Sequence, residues 1–174
     1  MTSPLPDILF EEECQKLKAA ASADPRSYLL VLLLLETGLK KEELFDLHLT
    51  HFDFSNTYAP ELWVKHAGKK VRKDRKLKLP PEIVPVFQDY VTRYSISDAL
   101  FPYTPRLIEM ILAETANKAK IRKKVTAGIL RDTCAVRQIK RGEGIERVLA
   151  RLGLSETTWE DAKIKYQKLS AGGI

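Results

Sequence analysis

The side chains able to do chemistry in this chain are cations with a defined placement. Val125 to Gly142 reads VTAGILRDTCAVRQIKRG. Thr126 suits a helix N-cap, and Gly142 suits the left-handed residue that ends a helix. At about 100° per residue, Arg137, Lys140 and Arg141 share one arc, as solvated cations should. Arg131 falls roughly 80–180° away from that arc, flanked by Leu130, Cys134 and Ala135. A guanidinium among apolar side chains is costly unless an anion meets it. That anion is either a carboxylate of the chain, in an internal salt bridge, or a ligand's phosphate or carboxylate. A second group is denser still. Lys65, Lys69, Lys70, Arg72, Lys73, Arg75, Lys76 and Lys78 place eight cations in fourteen residues, against the single acid Asp74. A third, Lys118, Lys120, Arg122, Lys123 and Lys124, leads straight into the Arg131 helix.

These groups give the net charge of +6 a direction. Residues 1–64 hold 5 Lys/Arg against 11 Asp/Glu, a net of −6, whereas residues 65–174 hold 24 against 12, a net of +12. Such polarity points to a polyanion met by one face. With 174 residues, 44% of them hydrophobic and 30% charged, the chain is expected to be one soluble domain with a sizeable core. From the polar, proline-bearing start no signal peptide is expected, and the apolar run Leu29–Leu35 is too short to span a bilayer. Without an amphipathic anchor, the expected location is cytoplasmic, with no membrane partner. Two cysteines, Cys14 and Cys134, read as core thiols and cannot make a zinc site. No metal and no small-molecule cofactor are expected.

The elements that must position the cations follow from periodicity and breakers. Ile8–Ala21 reads as an acid-first, base-last helix and Ser27–Thr37 as a central helix apolar on nearly every side. Gly38 ends the second, and Lys40–His48 restarts a short helix that Leu49–Phe54 leads out of. Glu61–His66 and Val71–Leu79 read as strands around an Ala67-Gly68-Lys69-Lys70 turn, a cationic hairpin suited to touching phosphates. Pro80-Pro81 stops it; Glu82–Tyr94 is a helix, and Thr104-Pro105 caps another that runs to Ala119. After the Arg131 helix come Ile145–Leu152, a break at Gly153, and Thr157–Leu169. The fold class is therefore α+β, mainly helical, with a small antiparallel β element. Residues 1–174 form a single domain.

In this order, four stretches are similar to the boxes of the tyrosine recombinases, or phage integrases. Thr37-Gly38-Leu39-Lys40-Lys41-Glu42-Glu43-Leu44 resembles TGLRxxEL. Gly68-Lys69-Lys70-Val71-Arg72-Lys73-Asp74-Arg75, ending at Leu79-Pro80, resembles the GKGxKxRxxPL tongue. Val125–Thr133 resembles ITPHDLRHT, and Leu152-Gly153-Leu154-Ser155 resembles LGHS. The resemblance spans about Leu5 to Leu169. It implies a helical catalytic domain with a small β-hairpin and an activity that breaks and rejoins DNA. A tyrosine attacks the scissile phosphate and holds the 3′ end as a phosphotyrosine. Arg131 would be the second catalytic arginine, and Lys69 the lysine that protonates the leaving oxygen. The transition state concentrates negative charge for fixed cations to meet, and the covalent ester conserves the bond energy without a cofactor. The family's separate N-terminal DNA-binding domain is expected to be absent.

The departures are as informative. Lys40 stands for the first arginine and cannot make its two-pronged contact to phosphate oxygens. Gly128 and Asp132 replace the histidines of the second box, and Leu154 replaces that of LGHS. The only histidines, His48, His51 and His66, all precede residue 67 and read as surface or hairpin residues. At its commonest offset the family's tyrosine position falls at Lys163; Tyr166, the only tyrosine after Tyr103, is either the nucleophile, reached by a short insertion around Glu156 to Asp161, or a core or capping residue of the last helix. Trp159 is a lesser candidate for packing on phosphate. Each lost transition-state contact costs about 2.7–4 kcal/mol, so little cleavage is expected from a site short of three. The implied protein grips double-stranded DNA through Lys65, Lys70, Arg72, Lys73, Arg75, Lys76, Lys123 and Lys124, and could assemble with its own copies there. The alternative is a helix-turn-helix regulator over residues 145–168, with the turn at Leu152–Ser155 and Thr157 onward in the major groove.

Overall fold

Seven consecutive apolar residues, Leu29 to Leu35, are all buried, and the rest of the molecule is arranged about them. They lie on α2 (Pro25–Thr37) in a computed structural model that describes residues 4–65 and 74–172. Asp24 caps α2 by accepting from Arg26 N–H at 3.1 Å, Pro25 fills the first turn, and Gly38 closes it at φ +67°. Burying a leucine side chain stabilises by about 1.5–3 kcal/mol, so this run alone explains why α2 is central. Around it pack α1 (Glu11–Ala21), α4 (Ile83–Arg93), α5 (Pro105–Lys118) and α6 (Ala127–Lys140). The short α3 (Lys41–Phe45) follows α2 directly, while α7 (Ile145–Arg151) and α8 (Glu156–Ala171) cover the other side of α6. Two apolar clusters result. The larger surrounds α2; the smaller joins Ala135 and Val136 to Val148, Leu149, Leu152 and Tyr166.

The β element is a three-stranded antiparallel sheet in the order β1 (Phe52–Asp53), β2 (Glu61–Val64), β3 (Arg75–Lys78). Leu62 pairs with Leu77 and both point inward; Trp63 pairs with Lys76 and both point out, the ammonium 5.3 Å from the indole ring. The alternation is what a half-buried sheet requires. The strand β1 was not foreseen, because two residues carry no period.

One expectation changes here. Arg137 is no solvated cation: it is 8% exposed, and its Nε and Nη2 donate to the Glu11 carboxylate at 2.9 and 3.0 Å. Its partner comes from α1, 126 residues earlier, so no helical wheel could supply it. Lys140 and Arg141 do stand exposed. The proposed turn Ala67–Lys70, with Lys69, Lys70, Arg72 and Lys73, lies outside the described residues.

Candidate active site

Helix α6 begins where the sequence places it, with Thr126 Oγ1 accepting from Ile129 N–H at 3.1 Å. Arg131, in its second turn, is 8% exposed. Its Nη1 donates to the Gly38 carbonyl at 2.6 Å and its Nη2 to the Leu152 carbonyl at 2.9 Å. Gly38 ends α2 and Leu152 ends α7. Carbonyls at helix C-termini lack an intrahelical donor and carry the negative end of the helix dipole. The buried guanidinium is therefore met by two main-chain dipoles and not by a carboxylate in bidentate contact. Burial lowers its proton affinity, the nearby Glu43 carboxylate acts against that, and a guanidinium stays charged.

The carboxylate that could have paired with it is engaged elsewhere. Glu43 on α3 accepts two bonds from Arg75 of β3, at 2.5 and 3.0 Å, and Arg75 Nε donates to the Arg151 carbonyl at 2.6 Å. Burial alone would raise the Glu43 pKa, but the Arg75 hydrogen bonds and charge outweigh it and hold it low. Gly153, at φ +67°, lets the chain pass over that guanidinium; a Cβ there would lie 2.5 Å from Arg75 Nη1. Lys40 caps α3 beside Gly38 and is half-buried, its N–H donating to Glu43 Oε1 at 3.0 Å.

Tyr166 reaches the same region from α8. It is 3% exposed, and its hydroxyl donates to Asp132 Oδ1 at 2.7 Å. Lys165 Nζ donates to that same oxygen at 2.9 Å. Burial first, then the Asp132 carboxylate, push the Tyr166 phenol far above its ordinary pKa. The positions stripped of histidine are as the sequence implies: Gly128 is an exposed residue of the first turn of α6, and Leu154 packs in the smaller apolar cluster with Trp159. Lys163, at the family's usual tyrosine position, pairs with Glu146 at 3.0 Å.

The remaining cations divide. Lys65 and Lys124 are exposed, and Lys76 is exposed beside Trp63 with an ion pair to Glu61. Arg75 and Lys123 are turned inward. Lys123 Nζ donates to the Ile8 carbonyl at 2.9 Å and to Glu13 at 2.8 Å, and lies 3.4 Å from the Phe10 ring centroid. It ties the N-terminal segment to the α5–α6 connection. The signal for these inward roles was too slight to read, since Glu13, Glu43 and two carbonyls lie far away in sequence.

Chemistry of other kinds finds little support among the described residues. No His/Cys/Asp/Glu group could hold a metal. Cys14 and Cys134 are free and buried, their thiols pushed up to about 11 and about 12 by burial. His48 bonds Asp98 at 2.9 Å and His51 accepts from His48 N–H. Clefts of about 660 and 530 Å³ lie elsewhere, one under residues 5–12 and one beside α5, and neither is lined by Arg131 or Tyr166. No helix is long and apolar enough to cross a membrane.

Residues 8–159 match the phage integrase family. The chain is 33% identical over 160 residues to tyrosine recombinase XerA of Pyrococcus furiosus, covering 86% of this chain and 54% of that protein. A tyrosine recombinase of Pseudothermotoga lettingae is 29% identical over 157 residues, 87% of this chain and 53% of the other. A crystal structure of XerA recombinase superposes with a TM-score of 0.79 at 28% identity, over 100% of this chain and 66% of that one. The fold is also that of XerH site-specific recombinase in a post-cleavage complex with palindromic difH substrate. There the TM-score is 0.82 at 19% identity, over 97% of this chain and 51% of that one. The chain spans about half the length of the curated relatives it matches. Nothing among these relatives supports the helix-turn-helix alternative, and Tyr166 lies beyond the matched residues.

Proposed function

The chain belongs to the phage integrase family, and from that premise we propose that it grips duplex DNA and breaks and rejoins a strand slowly, through a 3′-phosphotyrosine on Tyr166. One observation carries the reading. Arg131 is fixed to Gly38 of the first box and to Leu152 of the last, while the Tyr166 hydroxyl bonds the very next residue, Asp132. Three boxes and a tyrosine thus converge on one charged spot.

In this reading Arg131 meets the phosphate oxygens with its remaining donors, and Lys40 supplies a second cation with weaker geometry. Lys69 protonates the departing 5′ oxygen. The backbone is followed by Lys65, Lys70, Arg72, Lys73, Lys76 and Lys124. Arg75 and Lys123 serve it indirectly, by shaping the site and its rim. Slowness follows from Gly128 and Leu154, where the boxes call for histidine and nothing donates to the transition state. Assembly of several copies on DNA belongs to the same proposal.

The test is a pool of nicked duplexes randomised in sequence around the break, so that a cut strand loses its short 5′ partner and cannot rejoin. A denaturant-resistant protein–DNA adduct that disappears in Tyr166→Phe is the expected result. Salt-sensitive duplex binding with no adduct would reduce the protein to a DNA-gripping version of the fold.

A further inference from the structure

We infer that Asp132 takes the proton of the Tyr166 hydroxyl as it attacks a strand phosphate, with Lys165 holding the carboxylate in place. This rests on Tyr166 being the nucleophile. A nucleophile within hydrogen-bond reach of a base, itself oriented by a third group, is the arrangement that activates a weak hydroxyl. Here the three are Tyr166, Asp132 at 2.7 Å, and Lys165 at 2.9 Å from the same carboxylate oxygen. Tyr166 and Asp132 are 3% and 8% exposed, so water is poorly placed to compete for the proton.

Among the described residues, no histidine offers itself instead. Gly128 has no side chain, Leu154 is apolar, and His48 and His51 are bonded to Asp98 and to the His48 backbone. Asp132 stands where the family's box has its last histidine, directly after Arg131. A carboxylate beside a buried phenol keeps that phenol protonated at rest. The proton therefore moves only as the oxygen's charge passes to phosphorus. In the step, the Tyr166 O–H bond breaks and its proton goes to Asp132 Oδ1. The Tyr166 oxygen–phosphorus bond forms, the bond from phosphorus to the 5′ oxygen breaks, and that oxygen is protonated by Lys69. The charge left on the strand phosphate faces Arg131 throughout. Rejoining runs the same transfers backward.

The experiment uses the whole chain and the nicked pool with a bridging sulfur in place of the scissile 5′ oxygen. A thiolate leaves without a proton, so the departing side drops out and the attacking side is read alone. Asp132→Asn should slow adduct formation about 10²–10⁴-fold while leaving duplex binding in place. Its residual rate should climb steadily with pH, as hydroxide replaces the missing base, where the wild-type rate levels off. Lys165→Met should slow the reaction less and keep the wild-type pH profile, and it serves as the second probe if Asp132→Asn does not fold. Lys69→Ala, slow on the oxygen substrate, should recover on the sulfur one, whereas Asp132→Asn should not. An Asp132→Asn rate equal to or above wild type would overturn the inference and make Asp132 a clasp that holds the hydroxyl back. So would a Lys165→Met rate equal to or above wild type. In both cases the Tyr166 reading would stand. Wild-type protein that binds the pool yet forms no adduct, or an adduct that survives Tyr166→Phe, would sink the nucleophile assignment and this inference together.

Discussion

At the scale of single residues, the sequence made Arg131 conspicuous but could not name its partners. A cation on an apolar arc is visible from periodicity; two backbone oxygens, 93 and 21 residues away, have no side chain to announce them. Those oxygens set a cost for removing the guanidinium. Arg131→Met should lose stability, because each buried carbonyl left without a donor costs roughly 1–3 kcal/mol. Chemical denaturation should show this even without DNA, and any adduct formed by wild type should vanish. Glu11 behaves differently with pH. The Arg137 hydrogen bonds hold its carboxyl at about 2, against an ordinary 4.5. A depressed folded-state value means the contribution is present above pH 4.5 and fades as pH falls toward 2. Glu11 is 56% exposed and well screened, so the effect is a modest one. The gap in denaturation midpoint between wild type and Glu11→Gln should narrow from pH 6 to pH 3.

At the scale of elements, legibility tracked how local the cause was. Thr126 and Gly142 bracket α6 as read, and Thr104-Pro105 opens α5, because caps act within one turn. Arg137 was misplaced, and β1 passed unseen, because their causes are long-range pairing. The same contrast governs substitution at the glycines. Gly153 must adopt φ +67° and also clear a guanidinium held at three points by Glu43 and Arg151. Gly153→Ala should therefore cost the roughly 1–2 kcal/mol of a left-handed residue and displace Arg75 besides. Thermal melting should show the loss. Gly142→Ala, with nothing within 4 Å of the new Cβ, should pay for the backbone conformation alone.

For the whole molecule, the charge polarity read from composition turns the proposed DNA grip into an expected salt dependence. Each phosphate neutralised contributes about −0.9 to the slope of log K against log salt. Lys65→Ala and Lys124→Ala should each weaken binding to any duplex and flatten that slope by close to one. Lys123→Ala should mainly loosen the fold, since its ammonium is spent on Ile8 and Glu13. Gel shifts across a salt series, set beside melting curves, separate the two behaviours.

The division of the interior has a thermal consequence. Tyr166 belongs to the smaller cluster with α7 and α8, while α2 anchors the larger one. Fewer buried side chains secure the smaller group, so gentle warming should let α8 peel from α6 while α2 remains folded. Amide hydrogens of α8 would then exchange with solvent long before those of α2. Such a protein would fall silent before it falls apart.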